Sequence, residues 1–263
     1  MPPRSYVITA VVLAVLVAAS LPPTFGYSIF YWYWLFAAAA CILAIVGVFR
    51  VINGLHAPLW IGVALALPGF AWGANRLYDM TSSVPPHLGI YYTLRTAADI
   101  AFLVAAIGAL RLVEMMSTPH AVFRIGYGVL AVSVFLVGVD SAAYATGSTF
   151  TNDALYATSV RAVMVAAILV TYGAFVGAAV LITKRRNIER WTAAAISLIS
   201  AYMLYKYVSS LFLLSAYMRY AVLLINGLTF WFEPVLLFVG GAAIWRMGSV
   251  LRAQALPEQS AQS

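Results

Sequence analysis

The chain has 263 residues, 64% of them hydrophobic and 9% charged, with a mean hydropathy of +0.94. Soluble globular domains carry about 25% charge, so a soluble fold is excluded and a polytopic membrane protein is expected. The net charge of +7 then reflects either a polyanionic partner or membrane topology, and the placement of the basic residues decides between them.

A helix needs about 20 apolar residues to cross roughly 30 Å of hydrocarbon. Eight stretches are candidates: 6–21, 27–49, 57–78, 88–113, 121–146, 155–183, 191–217 and 219–246. Their connections are only a few residues long. The expected fold is all-α, a polytopic transmembrane helical bundle of seven to eight spans, with one domain over 1–253 and a polar tail over 254–263.

The first stretch, Tyr6 to Leu21, is short. Arg4, an apolar core, then Ala18, Ala19 and Ser20 ahead of Pro22 and Pro23 fit a cleavable signal or an uncleaved first span about equally well. A retained span is the expectation adopted; removal would leave seven helices with the amino terminus outside. In the second stretch, Tyr27 to Tyr31 has the composition of an interfacial aromatic belt, whereas Trp34 and Phe36 lie deeper. Ala37 to Ala40 there, and Gly173, Gly177, Ala178 and Ala179 in the sixth, are expected to allow close helix approach. The two halves show no obvious repeat by inspection, which gives an inverted-repeat transporter no support.

Lys and Arg near span ends accumulate on the cytoplasmic side. With eight spans and the amino terminus inside, the inner ends hold Arg4, Arg50, Arg111, Arg124, Lys184, Arg185, Arg186, Arg190, Arg246 and Arg252; the outer side holds only Arg76 and Arg219. The basic excess is therefore read as topology, with the Lys184-Arg185-Arg186 loop and the C-terminus cytoplasmic and no nucleic-acid partner. Cys41 stands alone, so no intramolecular disulfide is possible. His56, His87 and His120 fall at helix ends and do not pair at one depth, against a bis-histidine haem. The sequence lacks CxxC, HExxH, a phosphate-cradling glycine loop and GxSxG, and no metal or cofactor is expected.

Six ionisable residues fall within the apolar stretches: Arg95, Asp99, Asp140, Arg161, Lys206 and Glu233. Charge at membrane depth is costly, so such residues face one another or a wet cavity and mark a working site. Helical rise places most of them in the outer half, away from the basic ends. Tyr91, Arg95 and Asp99 follow i, i+4, i+8 on one helix face; Asn226 and Glu233 share another, and Pro234 kinks the helix beside the acid. A plainer reading makes them three satisfied pairs, Arg95 with Asp99, Asp140 with Arg161 and Lys206 with Glu233. Buried pairs often contribute less than well-packed apolar side chains, so three of them beside tyrosines read as a site.

The chemistry expected of such a site is acid–base work on a lipophilic small molecule in the membrane, a cyclisation or isomerisation. Glu233 and Asp140 are the candidate acid and base, because an apolar wall keeps a carboxylic acid protonated. Arg95, Asp99, Arg161, Lys206, Asn226 and Tyr91 are candidate substrate-binding residues. With seven or eight spans in so short a chain, and with Tyr205-Lys206-Tyr207 and Phe232-Glu233-Pro234, the plan resembles the small fungal integral-membrane proteins of secondary-metabolite pathways. These include membrane-bound terpene cyclases that use paired acids; the resemblance implies a cyclase-like activity but transfers no catalytic residue. The alternative is a seven-helix ligand-binding receptor or small transporter with an outward-facing polar pocket. Short inner loops count against the receptor, and an inner half without charge away from its edge counts against the transporter. Retinal binding at Lys206 is disfavoured because Tyr202 occupies the place of a counter-ion.

Overall fold

The computed structural model describes residues 28–81, 88–117, 121–145, 154–212 and 235–255, and the expected first span lies outside the described residues. These residues form seven α-helices and no strand: α1 (Ser28–Gly54), α2 (Leu59–Thr81), α3 (Leu88–Met116), α4 (Ala121–Ala145), α5 (Ala154–Arg185), α6 (Arg190–Phe212) and α7 (Val235–Ala255). Windows in four of them, Thr96–Met116, Ala121–Val139, Ala162–Arg185 and Val235–Ala255, are long and apolar enough to cross a membrane. Their outward faces are apolar as well. On α4, Val122, Ile125 and Phe135 are 72%, 66% and 69% exposed, a surface suited to lipid rather than water. Four helix serines are satisfied locally, which suits an apolar surrounding: Ser133, Ser197, Ser200 and Ser249 each donate to the carbonyl four residues back.

The last helix departs most from expectation. A hydropathy reading ends it at Arg246, yet α7 continues to Ala255, because Met247 and Leu251 are 2% and 1% exposed in the core while Arg246 turns outward to Glu189. Gln254, expected in the tail, is helical and donates to the Arg186 carbonyl at 2.9 Å.

Two connections are built alike. After α1, the amide of Ala57 donates to Ile52 O at 3.0 Å and His56 takes a φ of 50°; after α5, Ile188 donates to Thr183 O at 3.0 Å and Asn187 takes a φ of 50°. Both are left-handed helix caps, a conformation that His and Asn adopt more readily than most residues. Both next helices then begin with the same amide bond, Ile61 to Pro58 O and Thr192 to Glu189 O. At this offset of 131 positions, His56 to Asn187, the burial pattern also coincides. Ala40, Gly47, Val48, Val51 and Ile52 are buried, as are Thr171, Ala178, Ala179, Ile182 and Thr183; Ile61, Gly62 and Ala64 match buried Thr192, Ala193 and Ala195. Exposed Ala38, Ile42 and Val63 match exposed Leu169, Gly173 and Ala194.

Helix adjacency extends the match. Helix α3 packs on α2 and stands beside α5, while α7 packs on α6 and stands beside α1. Helices α1–α2–α3 and α5–α6–α7 thus form two units with the same turn and the same order of helix adjacency, with α4 against α3 and α5. The repeat that inspection of the sequence missed is parallel, not inverted. Few identities mark it, Trp60 and Trp191 among them, because what repeats is a burial period and a turn.

The two seams between the units differ. Along α1, Ala40, Gly47 and Gly54 recur every seven residues against Gly241, Gly248 and Leu251 of α7. A Cβ on Gly47 would lie 2.6 Å from the Trp245 amide nitrogen, and one on Gly241 would lie 2.6 Å from the Ala40 carbonyl oxygen. Backbones here touch directly. Across the α3–α5 seam, a Cβ on Gly177 would make only ordinary contact with Val113 at 3.5 Å, and one on Gly173 would meet nothing. Gly173 and Gly177 therefore do not mediate the close approach expected of them, whereas Ala40 does. Gly47→Ala is expected to lower stability by about 1–3 kcal/mol through overpacking against backbone. Gly173→Ala should leave it unchanged or raise it by up to about 1 kcal/mol; reversible unfolding in mixed micelles, followed by tryptophan fluorescence, checks both.

Candidate functional site

The helices fix the depth of the candidate charges without describing most of their side chains. Tyr91, Arg95 and Asp99 lie on α3, Asp140 near the end of α4, Arg161 near the start of α5 and Lys206 in the last third of α6. The side chains of Tyr91, Arg95, Asp140, Arg161 and Lys206, together with Asn226, Glu233 and Pro234, lie outside the described residues. Asp99 is half-buried and engaged. At about 1.5 Å per residue, the five charged positions on α3 to α6 stand roughly 24–36 Å from the helix ends where the basic residues collect. They come from both units and from the α4 connector. The aromatic residues from Tyr27 to Phe36 and the outer-side Arg76 have side chains outside the described residues.

At the opposite, basic end the side chains of several charged residues are placed. Arg50 of α1 lies 3.6 Å over the Trp245 ring of α7 and donates to Ser249 Oγ at 3.2 Å, so a cation that hydropathy places at a span edge is drawn across the α1–α7 seam. Arg246 Nε donates to Glu189 Oε1 at 3.1 Å, with Nη2 on the same oxygen, tying α7 to the α5–α6 turn. On α3, Arg111 pairs with Glu114, which also accepts a 2.9 Å bond from the Tyr127 hydroxyl of α4. The Arg246 guanidinium bound to Glu189 holds that carboxyl below its usual range. Sequence reasoning did not pair these residues. The only available signal was that Glu114 and Glu189 sit among the inner-end cations.

A cavity of about 570 Å³ opens at this end beside the α3–α5 seam, between Leu112, Met115 and Met116 of α3 and Arg185 and Arg186 at the end of α5. Deeper along the seam, Ala167 and Ala174 pack into the α3–α4–α5 core, and Thr171 lies between them on the same helical face. Thr171 is 2% exposed and its hydroxyl has no partner among the described residues. It is the α5 counterpart of Ala40, and sequence reasoning passed over it because a lone threonine in an apolar helix carries no signal.

No family model, curated protein or solved structure matches the chain at a significant level.

Because Glu189 is held ionised in the folded state, its stabilising contribution is present above the ordinary value of 4.5 and is lost as pH falls through the lowered value. The pair is partly exposed, so Arg246→Gln should cost at most about 1 kcal/mol at neutral pH. That gap between wild type and variant should close as the pH is taken below 4.5, as read from unfolding curves at stepped pH.

Proposed function

We propose that the protein is a small membrane transporter in which the α1–α2–α3 and α5–α6–α7 units shift against one another around a path for an ionisable solute. The observation that carries this reading is the duplicated unit with its parallel repeat. Transporter folds are commonly built from internal repeats, with the solute site near mid-membrane where the repeats meet. Three further features support it. Intramembrane charges stand on helices of both units, Arg95 and Asp99 on α3, Arg161 on α5 and Lys206 on α6. The α1–α7 seam is locked by backbone contact while the α3–α5 seam is looser, which suits a hinge opposite an opening edge. The opening edge also carries the buried Thr171 hydroxyl, unpartnered among the described residues, and the cavity at its basic end.

In this reading the charges coordinate a solute rather than perform acid–base catalysis. Arg95, Asp99, Asp140, Arg161, Lys206 and Glu233 line or gate the path, and the basic end faces the cytoplasm by the positive-inside bias.

Cys41 is the sole cysteine, so a Cys41→Ala background gives a clean probe. In that background Thr171→Cys should react with a membrane-impermeant maleimide from either face of oriented vesicles, because alternating access exposes the seam to each side in turn. Reaction from neither face, in protein that remains folded by circular dichroism, would overturn the proposal.

A further inference from the structure

We infer that the cavity at the basic end of the α3–α5 seam binds an anionic amphiphile, a phosphate-bearing head on an apolar body. This rests on the cavity alone and stands whether or not the protein transports a solute. Its volume of about 570 Å³ is within the usual span for small-molecule sites, roughly 300–1,000 Å³.

The lining has two chemistries. Leu112, Met115 and Met116, with Leu55 and Ala57 of the α1–α2 turn, supply an apolar wall. Met115 is 47% exposed although it stands three residues from Leu112, which is 3% exposed, so apolar surface is left open at the cavity. Methionine is flexible and polarisable, which suits a wall that accepts chains of varied shape.

The other side is cationic, and its cations are uncommitted. At the same end Arg50 is taken up by Trp245 and Ser249, Arg111 by Glu114 and Arg246 by Glu189. Among the described residues neither Arg185 nor Arg186 is paired with a carboxylate. The Arg186 backbone is anchored at both its polar groups, its amide donating to Ile182 O at 3.0 Å and its carbonyl accepting from Gln254 at 2.9 Å. A guanidinium fork on a fixed backbone matches phosphate oxygens in a way that a lysine ammonium does not. Basic pockets between transmembrane helices on the cytoplasmic side bind anionic headgroups by this chemistry.

A phosphate head on an apolar body describes both an anionic phospholipid of the bilayer and a dissolved single-chain amphiphile. The test uses the full chain in neutral detergent, with thermal unfolding followed as dioleoyl phosphatidylglycerol, dioleoyl phosphatidylcholine, lysophosphatidic acid or inorganic phosphate is added. The expected result is a rise in Tm of roughly 5–10 °C with phosphatidylglycerol or lysophosphatidic acid near a hundredfold excess over Kd. The rise should vanish in Arg185→Ala/Arg186→Ala and persist in Arg252→Ala, an exposed cation at the same end. The larger response of the two lipids identifies the source, phosphatidylglycerol for the bilayer and lysophosphatidic acid for a dissolved amphiphile. If the double variant fails to fold, Met115→Glu, which sets a carboxylate at the cavity wall and leaves both arginines, should weaken binding at least about tenfold by native mass spectrometry. Equal stabilisation by phosphatidylcholine, a full effect from inorganic phosphate alone, or an effect that survives these cavity substitutions would overturn the inference.

Discussion

Backbone contact between α1 and α7 is the constraint on which the ring of helices depends. Lipid tails are as apolar as leucine, so helices in a bilayer gain little from hiding apolar surface and must associate through close packing and polar contacts. The seven-residue recurrence of Ala40, Gly47 and Gly54 meets that demand, because Ala40 and Gly47 let backbone meet backbone at Gly241, Trp245 and Gly248 and Gly54 leaves room for Leu251. Once the backbones touch, Arg50 reaches across to Trp245 and Ser249, and Leu251 lies over Gly54. The first and last described helices are thereby joined, and the two three-helix units become halves of one bundle.

The likeness of the units does not make the seams equal. Where α1 offers Gly47 to its neighbour, α5 offers Ala178 at the matching position. Larger side chains stand at the matching positions, Thr171 for Ala40 and Ala178 for Gly47, and side-chain packing fills this seam, including the tilted pair of Phe102 and Phe175 at 5.6 Å. A seam that rests on side chains can repack at modest cost, whereas one that rests on backbone cannot move without opening a void. The cavity and the Thr171 hydroxyl, unpartnered among the described residues, both lie along the seam that rests on side chains.

Polarity is also divided along the bundle axis. At the basic end Arg111 and Arg246 are paired with carboxylates and Arg50 lies on an aromatic face, whereas among the described residues Arg185 and Arg186 have no carboxylate partner. At the other end the ionisable positions are spread over helices of both units and the connector between them. A protein that only needed to stay folded in lipid would have little use for charge there, since apolar replacements pack as well or better.

The sequence by itself determined the helical fold, the approximate positions of the helices through α6 and the gathering of arginines at one end, because these follow from local hydropathy and helical rise. It also determined how far along each helix Arg95, Asp99, Asp140, Arg161 and Lys206 stand, since depth depends only on counting residues. Only the tertiary structure decided which helices adjoin and that α7 continues past Arg246. The same holds for the repeat and for the choice of Gly47 and Gly241, rather than Gly173 and Gly177, as the glycines of the close seam. The physical reason is that hydropathy reports the exchange of water for lipid, whereas adjacency is set by shape between residues far apart in the chain. A glycine facing a neighbouring backbone and a glycine facing open space read identically until the neighbour is in place.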